Sequence, residues 1–173
     1  MSSVPPLDRI EVGVIVERRK AKSQWIDFVW RPVSILPGRP KAAAWSLLES
    51  DGECTTFYAG SAELKLYRTE TTQYRNNIAS TAPSIWIALR PIGTDSVCEV
   101  VGVTADPAEG ESWTQAGSDL VETVPMPASI REAITAFIAD HHVERPFAKR
   151  RRDRSDPKML ARRGPLKNNE ADG

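Results

Sequence analysis

The sequence predicts a mainly β domain of the α+β class: a single curled or barrel-like antiparallel sheet, one C-terminal amphipathic helix as cover, and a basic, disordered tail. Three observations lead there. Short segments with a two-residue apolar period recur between turn signals. The strand–helix rhythm that builds parallel sheets is missing. A single apolar stripe at helical spacing stands late in the chain, just before a stretch dominated by Lys and Arg.

Ile10, Val12, Val14 and Val16 alternate with Glu11, Gly13, Ile15 and Glu17, which predicts a first strand with one face on a core. The charged run Glu17-Arg18-Arg19-Lys20, with Lys22 and Ser23, reads as an exposed connection. Trp25 to Trp30 is aromatic and β-branched and predicts a second strand. Pro32 offers no ladder donor, so Arg31-Pro32 marks an edge or bulge before Val33 to Leu36, and Pro37-Gly38 ends the run.

Ala42 to Leu48 and Cys54 to Tyr58 flank an Asp51-Gly52 turn and are expected to pair as a hairpin. After Ala59-Gly60-Ser61, alternation of Ala62, Leu64 and Leu66 with Glu63, Lys65 and Tyr67 predicts a further strand. Arg68 to Thr81 is polar and reads as a long connection. Ile85, Ile87 and Leu89, then Val97, Val101 and Val103 beyond Gly93-Thr94-Asp95, predict a second hairpin. Asp106 followed by Pro107 caps a short helix through about Trp113, and Leu120 to Val124 adds a last strand. Ile130, Ile134, Phe137 and Ile138 form the stripe of a helix over about 127–142 that packs on the sheet.

Length admits one domain. Residues 1–8 are expected to be a flexible N-terminus, 9–144 the β-rich domain, and 145–173 a mostly disordered basic tail. There is no internal repeat. Net charge is zero, yet the tail carries 10 Lys/Arg against 4 Asp/Glu and residues 1–144 carry 13 against 19. An acidic domain of net −6 thus precedes a tail of net +6. No run approaches the roughly 18 apolar residues of a membrane span, and residues 1–9 lack an apolar signal core, so a cytoplasmic protein is expected. Cys54 and Cys98 form no C-x-x-C pair; buried thiols are the plain reading, with a disulfide or metal role as the alternative.

Few residues suggest chemistry. Nucleotide-binding glycine loops, the G-x-S-x-G elbow and H-E-x-x-H are all missing. His141 and His142 end the predicted helix beside Asp140 and Glu144, where helix capping explains them. Adjacent helical histidines diverge by about 100°, a poor geometry for one metal. No catalytic residue, metal ligand or cofactor is assigned; the residues favour a non-catalytic role and leave an enzyme open. Glu17, Arg18, Arg19, Trp25, Trp30 and Arg31 concentrate cations and indoles around one hairpin, which reads either as core plus solvated turn or as a recognition patch. Lys149, Arg150, Arg151, Arg152 and Arg154 make the tail a second candidate surface. Charge alone does not choose among nucleic acid, an anionic membrane surface and a protein partner, but no aromatic residue interleaves after Phe147, which weighs against nucleic acid.

Val12-Gly13-Val14-Ile15-Val16-Glu17-Arg18-Arg19, Trp25, Trp30-Arg31-Pro32-Val33 and Leu36-Pro37-Gly38 resemble the opening of a proteobacterial family known as domain of unknown function 3305. Val124-Pro125-Met126-Pro127, His142-Val143-Glu144, Phe147, Lys149-Arg150, Arg152-Asp153-Arg154 and Asp156-Pro157 resemble its closing block. The resemblance implies a setting beside formate dehydrogenase genes and a link to molybdenum cofactor biosynthesis. It brings no established activity, and the Gly-rich loop of a nucleotidyltransferase is not in this sequence. The expectation is a non-catalytic accessory or maturation protein for a molybdenum-dependent formate dehydrogenase, binding a subunit or another maturation factor. The alternatives are a small-molecule or cofactor-binding module with a cavity near Glu17, Arg31 or Arg90, and a nucleic-acid binder using the tail.

Overall fold

In the computed structural model, residues 5–92 and 97–143 are described. The chain runs through β1 (Asp8–Lys20), β2 (Phe28–Pro37), β3 (Ser46–Ser50), β4 (Cys54–Leu66), a short 3-10 turn (Arg68–Glu70), α1 (Thr71–Ala79), β5 (Ser84–Ile92), β6 (Val97–Thr104), α2 (Pro107–Gln115), β7 (Leu120–Pro125) and α3 (Ala128–His141). The mainly β, α+β class is as the sequence predicts. The strands form two antiparallel sheets where one was expected: β2-β1-β4-β3 and β6-β5-β7. β2 packs beside β7 and β4 beside β6, with no ladder joining the sheets.

The core follows from the strand period. Val12, Val14 and Val16 of β1 are fully buried with Leu64 and Leu66 of β4 and Ile85, Ile87 and Leu89 of β5. Ile130, Ile134 and Phe137 of α3, and Tyr74 of α1, close the same cluster, so the apolar stripe of α3 does pack on the sheets.

Both sheets bend at bulges. Val16 pairs with Pro32 while Ile15 pairs with Ser34, so Val33 is extra in β2, and the proline sits on an edge strand where its missing donor costs nothing. In β4, Ile15 faces Tyr58 and Val14 faces Gly60, leaving Ala59 extra. Gly60 has φ 121, which an L side chain resists. Ala59-Gly60-Ser61 is therefore a bulge inside one long strand, not a break between two.

Other expectations are corrected. Glu17 to Lys20 continue β1 and are not a connection, because β2 and β4 supply ladder partners out to Lys20 and Arg19. The second strand begins at Phe28, so Trp25 and Ile26 belong to the turn before it, and residues 42–45 precede β3. Arg68 to Thr81 is mostly the 3-10 turn and α1. Its buried side chains are Thr71, Tyr74 and Asn77, too polar for hydrophobic periodicity to register. The Gly93-Thr94-Asp95 turn and the tail from Glu144 lie outside the described residues.

The remaining local signals hold. Asp106 caps α2, accepting from the backbone N–H groups of Ala108 (2.8 Å) and Glu109 (3.4 Å), with Pro107 in the first turn. Asp51 accepts from Cys54 N–H at 2.9 Å in the β3–β4 turn. Gly110 lets α2 approach β5: a Cβ there would lie 2.1 Å from Trp86 Cγ. His142 ends α3 and its Nδ1 lies 3.0 Å from Thr71 Oγ1, tying that end to α1.

Asn77 is the polar pin of this arrangement. Its amide nitrogen donates to Ser84 O and Ala105 O, both at 2.8 Å, and its oxygen accepts from Ser84 N–H at 3.0 Å. One buried side chain thus joins α1 to the start of β5 and the end of β6. Asn77→Ala strands those backbone groups and is expected to cost on the order of 3 kcal/mol. Thermal denaturation by circular dichroism should show a melting temperature lower by about 10 °C.

Candidate functional site

At one end of the four-stranded sheet the β1–β2 and β3–β4 turns come together, with Lys20 N–H donating to Glu53 O at 3.0 Å. Because β1 alternates without interruption, Arg18 points to the same side as Val12, Val14 and Val16. Directly opposed residues share a face, so Trp30 opposite Arg18, Phe28 opposite Lys20 and Phe57 opposite Val16 stand there too. Here the aliphatic core ends and an aromatic cluster replaces it.

The Arg18 guanidinium carbon lies 4.4 Å from the centroid of Phe28, 5.3 Å from Phe57 and 5.8 Å from Trp30. Trp45 meets Trp30 edge-on at 5.5 Å, and Trp30 and Phe57 are 5.7 Å apart. A cation held against ring faces gains on the order of 1 kcal/mol per good contact, more as water is excluded. Arg18 Nε and Trp30 Nε1 are both shut off from solvent, with no hydrogen-bond partner among the described residues. Trp45 adds strain: its φ of 66 is in the left-handed region, which costs a bulky residue about 1–3 kcal/mol. Its N–H donates to Tyr58 O, and Trp30 holds its indole.

The opposite face is polar. Glu17, whose side chain is 13% exposed, receives Arg19 Nη2 at 3.0 Å and faces Arg31 Nη2 at 3.9 Å. The hydrogen bond from Arg19 to Glu17 raises the arginine's pKa. Cys54, opposite Arg19, lines an open pocket with Arg19, Asp51 and Glu53. Loss of solvent around the thiol, and then its hydrogen bond to Glu17, push the Cys54 pKa up. A thiol so protonated is a poor nucleophile. Among the described residues no group of three or more His, Cys, Asp or Glu could hold a metal ion.

The hairpin patch therefore divides. Arg18 and Trp30 sit together on the core side, Glu17, Arg19 and Arg31 together on the outer side, and Trp25 stands apart in the turn, 86% exposed. Trp25 and Trp30, expected on one strand, do not share it: Trp25 lies in the turn before β2. Arg90, on β5, is engaged elsewhere: it forks onto Asp119 at 2.9 and 3.0 Å and holds that carboxyl below its usual range. Lys149, Arg150, Arg151, Arg152 and Arg154 lie outside the described residues. Sequence reasoning missed Phe28 and Phe57 around Arg18, Trp45 packed on Trp30 and Phe57, and the exposed Leu47 and Leu48 on β3. Phe28 was already inside a predicted strand, and the signal for it was the parity it shares with Trp30.

Two measurements probe this geometry. Arg18→Met keeps volume and removes a buried orphan donor, so thermal stability should be unchanged or higher, whereas Arg18→Ala should lose about 1–2 kcal/mol of packing. Alkylation of Cys54 by iodoacetamide at pH 8 should be slower than in the denatured chain and rise only as pH passes the elevated thiol pKa. Glu17→Gln removes the carboxylate that opposes the thiolate and should shift that rate profile to lower pH.

A family model described as a protein of unknown function (DUF3305) matches residues 11–151. No curated protein and no solved structure matches the chain.

Proposed function

We propose that this protein, which belongs to the DUF3305 family, is a non-catalytic accessory protein that acts by binding another protein, its client being a molybdenum-dependent formate dehydrogenase as the resemblance implies. The observation that carries the reading is the set of exposed apolar side chains at the turn end of the four-stranded sheet, Trp25 foremost. Trp25 is 86% exposed, and Ile26, Val29, Leu47 and Leu48 are each at least half exposed around the same two hairpins. Large apolar side chains left in water suit an interface, and tryptophan is among the residues that most often dominate binding energy.

Small-molecule binding is less well supported at this end. The aromatic cluster that could flank a ligand already encloses Arg18. The pocket lined by Arg19, Asp51, Glu53 and Cys54 has no large apolar side chain among those residues. Exposed Glu49, Asp51 and Glu53 repel a phosphate backbone, which weighs against nucleic acid there.

The test is affinity purification of the tagged full chain from formate-grown cells of the native host, with partners identified by mass spectrometry. A dehydrogenase subunit or maturation factor should be recovered by wild type, at least fivefold less by Trp25→Ala, and less by a chain truncated at Arg145. Recovery of no such protein, together with formate oxidation unchanged on deleting the gene, overturns the reading.

A further inference from the structure

The geometry points to β3 as a strand-addition site: its free edge takes an extended, lysine- or arginine-bearing segment of a partner protein. This rests on the protein-binding reading above and specifies the segment bound.

The four-stranded sheet has two edges, and they differ. The β2 edge carries Pro32 and runs beside β7, so it is both chemically blunted and covered. Among the described residues β3 packs substantially against β4 alone, and four of its five residues are exposed. It contains no proline and no lysine, and its deterrents to indiscriminate pairing are its short length, the Leu48 bulge and the charge of Glu49. It presents Leu47 and Leu48, 62% and 51% exposed. Leu47 stands opposite Phe57, so on that face a side chain from an added strand would lie next to Leu47 and extend the aromatic cluster.

Charge chooses the occupant. Glu49, Asp51 and Glu53 follow the leucines directly and are exposed. Residues 1–144 carry a net −6, from 13 Lys/Arg against 19 Asp/Glu. The β3 edge of a second copy would bring the same carboxylates, Glu49, Asp51 and Glu53, against these, and β3, five residues long and bulged at Leu48, is too short to hold it by backbone bonds alone. An extended segment alternating apolar with basic residues meets both features: main-chain bonds to the edge, apolar groups on the leucines, cations on the carboxylates.

The probe is a short fluorescent peptide alternating valine with lysine, compared by polarisation with a valine–glutamate peptide and with a valine–lysine peptide interrupted by prolines. The full chain should bind the first, with affinity falling as salt rises, and bind the other two at least tenfold more weakly. Glu49→Lys, and separately the pair Leu47→Lys and Leu48→Lys, should each weaken binding at least tenfold, while Glu132→Lys on the exposed face of α3 changes it less than twofold. Amide exchange of β3 should slow in the complex. Equal binding of the proline or glutamate peptide, an equal effect of Glu132→Lys, or concentration-dependent dimers abolished by the leucine pair overturns the proposal. If purification with the leucine-pair variant still recovers the wild-type partner, strand addition falls and partner binding stands. If the peptide binds as expected but no partner is recovered, the accessory reading falls and the edge stands.

Discussion

The two-residue period of β1, the one strand of its sheet flanked along its length by long partners on both sides, determines what every neighbour can do. Val12, Val14 and Val16 are fully buried between two ladders, so a slip of one residue would drive Glu11 and Glu17 toward the core. With register locked, Arg18 must continue on the core side, past the point where aliphatic cover ends. A charge there cannot stay bare, and rings from β2 and β4 supply the enclosure, with the Trp45 indole packed on Trp30. The bulges fit this account. Both extra residues, Val33 and Ala59, lie in the partner strands, so the sheet bends while β1 keeps its alternation.

Unfavourable terms gather at the same end. Trp45 holds a left-handed backbone, Arg18 Nε and Trp30 Nε1 are closed from water with no partner among the described residues, and Trp25 stands in solvent. Elsewhere comparable groups are satisfied: Asn77 meets three backbone groups, Asp106 caps α2, and Arg90 is matched to Asp119. Strain that persists is held by its surroundings, and here the surroundings are aromatic packing. Locating binding where these terms concentrate is consistent with how folds tolerate local cost for a surface.

Elements whose signal is local were legible in the sequence. Alternation in β1 and β5, the Asp51-Gly52 turn, the Asp106-Pro107 cap and the α3 stripe each state their structure within a few residues. α1 did not, because its buried positions Thr71, Tyr74 and Asn77 earn burial by hydrogen bonding, which no apolar period records. The division into two sheets was also hidden, since it depends on β1 choosing β4 and β5 choosing β7 across long separations. The site was half legible: its cations and indoles stood out by type. Which of them meet depended on β1 extending through Lys20, and charged residues mask that extension. Phe57 reaches Arg18, and Trp45 reaches Phe57 and Trp30, only through the pairing of β4 with its neighbours.

The position of β3 follows from the same geometry. The second sheet lies against β4 and β2 through β6 and β7, and its cover does not reach β3. An edge so placed has unpaired main-chain groups whether or not it is used, and the chain can blunt it or exploit it. β2 is blunted by Pro32, while β3 carries two exposed leucines followed by three acidic residues. Leucines alone would invite indiscriminate pairing. Carboxylates beside them would raise the cost for acidic chains and lower it for basic ones, so under the strand-addition proposal charge would act before any side-chain fit. The β1–β2 turn with the exposed Trp25 lies at the same end of the sheet as the β3–β4 turn, the two joined by the Lys20 N–H to Glu53 O hydrogen bond.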